Sequence, residues 1–229
     1  MESLDFGVSF GKPNFNPDDI QVDDVMLVTF VIDRSGSISN YVNDMNDAMS
    51  ETLKEWKGSH HSDKIMYSRV DFDSSVEVVH GFTPIASVDH IDVSPRGMTA
   101  LYDGVYTALE NSRSYYESIV SSGADCKVMI FVFTDGDDNS SSKNPSDVKK
   151  KLDEIYSNEE NFGNFDLVLF GLNDPSYFKG AAQQMGITKV AVDDPSDPTP
   201  IGKKIRGMIT VASQSVSSGS TANIANVTF

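Results

Sequence analysis

The sequence has a single cysteine, Cys126, which excludes an internal disulfide and any cysteine-built metal cluster. Its setting, Cys126-Lys127-Val128-Met129-Ile130-Phe131, reads as the start of a buried strand, so the thiol is expected to be packed rather than nucleophilic. Basic residues are also scarce. Eighteen Lys and Arg against 34 Asp and Glu leave a formal charge of −16 at pH 7. A chain this acidic lacks the electrostatic footprint for nucleic acid and is repelled by anionic membrane surfaces. No apolar run approaches the ~18 residues of a membrane span. The opening residues, Met1-Glu2-Ser3-Leu4-Asp5, have neither the basic nor the apolar region of a signal peptide, and a cytoplasmic location is expected. There is no Gly-x-x-x-x-Gly-Lys phosphate loop and no internal repeat.

What remains is an ordinary globular chain. Its 229 residues, 39% hydrophobic and 23% charged, can bury a core large enough to fold without a disulfide or zinc staple. Residues 1–24 are rich in Gly, Pro, Asn and Asp and read as an N-terminal arm. Residues 25–216 carry the apolar patterning of one domain, and 217–229 read as a tail. Val25-Met26-Leu27-Val28-Thr29-Phe30-Val31-Ile32 is nearly continuously apolar, the mark of a strand covered on both faces. Val42, Met45, Met49, Leu53 and Trp56 then fall at helical spacing, which predicts a helix from about Ser39 to Lys57 with the two methionines in the core.

Two short strands around Asp73-Ser74-Ser75 suggest a hairpin. A helix starts near Thr99, and a second wholly apolar strand covers Val128 to Phe133. Helix, strand, helix, strand and helix follow to about Ser215. The alternation predicts an α/β fold, Rossmann-like and doubly wound, with a mostly parallel sheet of about six strands and helices on both faces.

Ligands of open α/β sheets bind beyond the carboxyl ends of the strands. The first apolar strand runs into Asp33-Arg34-Ser35-Gly36-Ser37 and the second into Thr134-Asp135-Gly136-Asp137-Asp138-Asn139. Between them lies Pro95-Arg96-Gly97-Met98-Thr99, a Gly-containing loop that opens a helix. These loops offer oxygen in quantity: Asp33, Ser35, Ser37, Thr99 and Asp135. Hard cations such as Mg²⁺ take such ligands and need few protein carboxylates. Alternate residues of an extended segment project to one side, so Asp33, Ser35 and Ser37 can converge. A turn with a helix cap accounts for Asp-x-Ser-x-Ser alone. The three loops together, in this order, favour the metal.

These residues resemble the von Willebrand factor A domain. Asp-x-Ser-x-Ser after a buried strand, a lone Thr opening a helix, and Thr-Asp-Gly after a second buried strand match its metal-ion-dependent adhesion site. The resemblance implies Asp33, Ser35, Ser37, Thr99 and Asp135 as metal positions. It also implies a divalent ion, Mg²⁺ first with Mn²⁺ or Ca²⁺ as alternatives, completed by an Asp or Glu of a protein partner. Met98-Thr99-Ala100-Leu101-Tyr102-Asp103 and Phe170-Gly171-Leu172-Asn173-Asp174 are similar to the single-domain bacterial and phage members, some associated with tellurite resistance. Many relatives have Gly-Gly-Thr where this chain has Gly97-Met98-Thr99, and a side chain at Met98 narrows access to the ion.

The expected function is therefore a metal-dependent protein-interaction module, not an enzyme. A metal-dependent phosphohydrolase is the alternative, disfavoured because Arg34 and Arg96 are the only basic residues in the loops and read as surface. A structural or virion protein with a stabilising metal is another. Asp137 and Asp138 read as a solvated rim, and Asp71 and Asp73 as flanks of a turn rather than a second cation site. His60-His61 lacks the further His or Cys that zinc requires.

Overall fold

In a computed structural model of the protein, residues 24–158, 161, 163–172, 175–193 and 199–217 are described. The expected arm, apart from Asp24, lies outside these residues, as do Asn173, Asp174 and the tail beyond Ser217. Six strands form one sheet: β1 (Asp24–Asp33), β2 (Ile65–Phe72), β3 (Val76–Pro84), β4 (Asp125–Thr134), β5 (Phe165–Gly171) and β6 (Lys189–Val192). Their spatial order is β3-β2-β1-β4-β5-β6. Only β3, at one edge, runs antiparallel, paired with β2 through the tight turn at residues 73–75. The helices are α1 (Val42–Lys57), α2 (Leu101–Ser121), α3 (Pro145–Tyr156), α4 (Pro175–Met185) and α5 (Ile201–Ser217).

The doubly wound arrangement follows from alternation within the apolar strands. In β1, Leu27 and Val31 face a core shared with Leu101 and Val105 of α2, Val148 and Leu152 of α3, and Phe178 of α4. Val28, Phe30 and Ile32 face the other core, with Met45 and Met49 of α1 and Ile205 and Ile209 of α5. A strand flanked on both edges by parallel partners and on both faces by helices favours apolar side chains throughout, hence the nearly continuous apolar run, broken only by the buried Thr29, whose hydroxyl lies 3.2 Å from that of Ser112. Phe30 anchors the second core. Its ring lies 5.4–5.7 Å from those of Trp56, Tyr67, Phe131 and Phe133, edge-on to the last three, a favourable geometry for aromatic quadrupoles.

Local chemistry sets the helix ends. At α3, the Asn144 side chain accepts N–H bonds from Ser146 and Asp147 while the Asp147 carboxylate accepts from Asn144 N, with Pro145 in the first turn. Two helix starts differ from the sequence expectation. Residues Gly36–Asn40 form a 3₁₀ turn before α1 begins at Val42. The second helix begins at Leu101, because the Thr99 carbonyl accepts from Asn139 and Ser140 N–H instead of from the helix and Ala100 has non-helical backbone angles (φ −101°, ψ 58°).

The connection from β3 to α2 is a strap that the pattern reading left unassigned. After a short 3₁₀ turn at Ile85–Ser87, residues 88–100 have no regular structure, yet Val88, Ile91 and Val93 are buried in the α1-side core. The strap is tied down by Val93 N to Asn46 Oδ1 (3.0 Å) and Arg69 Nη2 to the Asp92 carbonyl (2.9 Å). It delivers residues 95–99 to the rim of the sheet.

Candidate metal centre

β1 and β4 are parallel neighbours in register, with Ile32 opposite Phe133, so Asp33 and Thr134 leave the sheet side by side. Asp33 is fully buried. Its Oδ2 accepts a 2.6 Å hydrogen bond from Thr134 Oγ1, and its Oδ1 accepts a 2.7 Å bond from Ser35 N. Ser35 Oγ lies 2.9 Å from Ser37 Oγ, and Ser37 Oγ donates to Asp135 Oδ1 at 2.7 Å. Asp33, Ser35, Ser37 and Asp135 thus form one hydrogen-bonded chain across two loops.

Thr99 is buried in the adjoining loop. It is held there by its backbone. Its N–H donates to Asn139 Oδ1, and its carbonyl accepts from the N–H groups of Asn139 and Ser140. Gly36 N donates to Gly97 O (3.2 Å) and Arg96 N to Arg34 O (2.6 Å), stitching this loop to the Asp33–Ser37 loop. Among the described residues, Thr99 shares no hydrogen bond with the other four.

Burial pushes the Asp33 carboxyl up, opposed by the hydrogen bonds from Thr134 and Ser35; the charge of Asp135 pushes it up further. Burial likewise raises Asp135, opposed by the bond from Ser37. Their partners are neutral hydroxyls and a backbone N–H, and among the described residues no cationic side chain is paired with either carboxylate. A hard divalent cation fits such a donor set in charge and chemistry. Among the described residues there is no group of three or more His, Cys, Asp or Glu side chains placed to hold a metal. The linked side chains are two carboxylates, Asp33 and Asp135, and two hydroxyls, Ser35 and Ser37.

Beside it lies a cluster that sequence reasoning missed. Arg34 and Arg96 are not two independent surface residues: both donate through Nε to Asp73 Oδ2, at 2.9 and 2.8 Å. Arg34 is buried and also reaches Glu77 Oε2 at 2.8 Å. One position deeper, Arg69 makes two 2.7 Å bonds to Asp71. Three of the chain's five arginines gather here. The convergence depends on the β2–β3 turn delivering Asp73 to the rim, which no local motif announces. Asp73 closes that turn by accepting the Ser75 N–H at 3.0 Å.

Asp138 is also not the solvated rim residue expected. Its carboxylate accepts from Tyr102 N at the start of α2 (3.1 Å) and from Ser141 N and Oγ, so it caps the helix. Asp103 returns the arrangement, accepting from the N–H groups of Ser142 and Lys143, both at 2.8 Å. Asp137, one residue earlier, is exposed.

The profile of the von Willebrand factor type A domain matches residues 28–175, which span every loop of the centre. The chain belongs to this family. Among solved structures, the fold of this von Willebrand factor A domain is similar to that of the pilus adhesin SpaC from Lactobacillus rhamnosus GG. The TM-score is 0.60 at 12% identity, over 86% of this chain and 30% of that one. The PilB minor pilin from Streptococcus sanguinis gives 0.54 at 13%, over 86% and 62%. Proximal thread matrix protein 1 from the mussel byssus, solved with zinc in its metal-ion-dependent adhesion site, gives 0.52 at 18%, over 82% and 47%. The chain thus spans less than two thirds of the length of each of these proteins. No curated protein matched it in sequence. At these identities the likeness is one of fold. No helix among the described residues is long and apolar enough to cross a membrane.

Proposed function

We propose that this domain is a metal-dependent protein-interaction module working in a bacterial or phage-encoded, cytoplasmic setting. Asp33, Ser35, Ser37, Thr99 and Asp135 hold the ion, Mg²⁺ ahead of Mn²⁺ or Ca²⁺, and an Asp or Glu of the partner completes its coordination. The observation that carries the reading is the chain from Asp33 through Ser35 and Ser37 to Asp135: four oxygen-bearing residues already within hydrogen-bond reach of one another. When bound, the ion supplies an exchangeable, electrophilic position for which a carboxylate is matched in charge and hardness. The role of the protein's own residues is to hold that position open. Thr134 orients Asp33, Asn139 fixes the backbone of Thr99, and the arginine cluster braces the loop between them. The zinc-occupied site of the mussel protein supports a divalent ion as ligand.

The phosphohydrolase alternative needs a basic pair free to hold a phosphate. Arg34 is buried and paired with Asp73 and Glu77, so the two arginines do not form a free pair, and no His lies in the motif loops to activate Ser35 or Ser37. We infer no hydrolytic turnover. The test of the module is affinity capture from a bacterial lysate in Mg²⁺ and again in chelator. Capture should require the metal. Thr99→Ala should weaken partner binding more than metal binding, and Ser35→Ala should damage both. A partner held equally well in chelator, or by both variants, overturns the reading.

A further inference from the structure

The turn at residues 95–99 is tightly braced, yet it leaves an apolar side chain in solvent. Gly97 sits at φ +71°, where an added Cβ would meet Ser74 Oγ at 2.8 Å, so glycine fixes the turn. Arg96 is held by its N–H to Arg34 O and its Nε to Asp73. Met98 N donates to Ser74 Oγ (2.9 Å), and Ala100 N to Asp73 O (2.7 Å). Met98 is nonetheless 50% exposed. Among the described residues only Val120, at the far end of α2, is the other exposed large hydrophobic.

The Arg96 side chain is 64% exposed. Its Nε is bonded to Asp73 and its Nη2 lies 3.9 Å from Glu77, while Nη1 enters no bond or ion pair among the described residues.

Charge gives this side of the rim a direction. Arg34, Arg69 and Arg96 offset Asp71, Asp73 and Glu77, so the patch is balanced in a molecule of net charge −16. The loop after β4 instead presents the exposed Asp137. An incoming carboxylate thus meets an exposed guanidinium at Arg96 and an exposed negative charge at Asp137. A pre-ordered loop loses little conformational freedom on binding, and Met and Arg are favoured contact residues at interfaces.

Resting on the module reading above, we infer that the partner's contacting segment carries more than the carboxylate for the ion: an apolar side chain that covers Met98 and a second carboxylate that pairs with Arg96. The probe is an array of synthetic peptides with one central Asp and flanking positions varied among Leu, Ser, Glu, Gln and Lys. It is read with the labelled full chain in Mg²⁺ and in chelator. Metal-dependent binding should require the central Asp. It should rise about fivefold for Leu over Ser at one flank and for Glu over Gln at another. Met98→Ser should erase the Leu preference with unchanged calorimetric metal affinity, and Arg96→Gln should erase the Glu preference while Arg96→Lys retains it, both Arg96 variants being read at a metal concentration that calorimetry shows to saturate them. Metal-dependent binding without flank preferences, or with preferences that survive the substitutions, overturns this inference and leaves the module reading standing. Absence of any metal-dependent, Asp-requiring peptide overturns both.

Discussion

Ser37 Oγ donates a 2.7 Å hydrogen bond to Asp135 Oδ1, joining side chains 98 positions apart in the sequence. The bond exists because β1 and β4 are parallel, adjacent and in register, so the loops that follow them leave the sheet together. Two apolar strands thus set the distance between two polar loops. The candidate centre depends on the core for its geometry, and its oxygen-bearing side chains come from the loops.

Thr134 is the clearest outer support of that centre. It has no assigned place among the ligands, but its hydroxyl fixes Asp33 Oδ2 at 2.6 Å. Outer partners of metal ligands typically cost 10–100-fold in affinity when removed. Thr134→Val should lower Mg²⁺ or Mn²⁺ affinity by about tenfold or more, with about 1–3 kcal/mol of stability lost because a buried carboxylate oxygen loses its donor. Calorimetric titration beside a thermal melt separates the two effects. Unchanged metal affinity would remove Thr134 from this role.

Asp73 should make stability depend on acid. Burial alone pushes its carboxyl up, but the hydrogen bonds from Arg96 and Ser75 and the charge of Arg34 outweigh burial and hold it below the usual carboxylate value. A carboxyl depressed in the folded state contributes stability above its unfolded value, about 3.9. That contribution is lost as the pH falls through the folded value. The gap in urea midpoint between the wild type and Asp73→Asn should therefore hold steady from about pH 7 to about pH 5 and narrow below about pH 4. A gap that widens with acid would show that the arginines do not stabilise the ionised form.

Cys126 should be chemically silent in the folded protein. It is buried, and burial pushes the thiol up to about 12, whereas the thiolate is the reactive form. A colorimetric thiol reagent at about pH 8 should label it only after urea unfolds the chain. Rapid labelling of the native protein would contradict the packing at the start of β4.

The fold was legible where burial dictates composition. β1 and β4 are apolar on both faces because helices cover both, and α3 carries its own capping box in Asn144 and Asp147. The strap was not legible. Val88, Ile91 and Val93 are buried by tertiary packing over α1, without a helical or strand period to announce it. The candidate site was legible because Asp-x-Ser-x-Ser and Thr-Asp-Gly each follow a buried strand, and the structure links Asp33, Ser35, Ser37 and Asp135 by hydrogen bonds. Their supports were hidden for a different reason. Arg34, Arg96 and Asp73 meet through a hairpin register, and Asp138 reaches Tyr102 N across 36 positions, pairings that no short window of sequence contains.

The central claim is that Asp33, Ser35, Ser37, Thr99 and Asp135 constitute a divalent-metal centre. Its most direct test is titration calorimetry of the full chain with Mg²⁺ or Mn²⁺, set beside the Asp33→Ala variant. One saturable site of weak affinity is expected, since under the proposed function the last ligand comes from a partner, with a strong loss in Asp33→Ala and the fold retained. Undiminished binding by that variant, or no saturable site in the wild type, would contradict it.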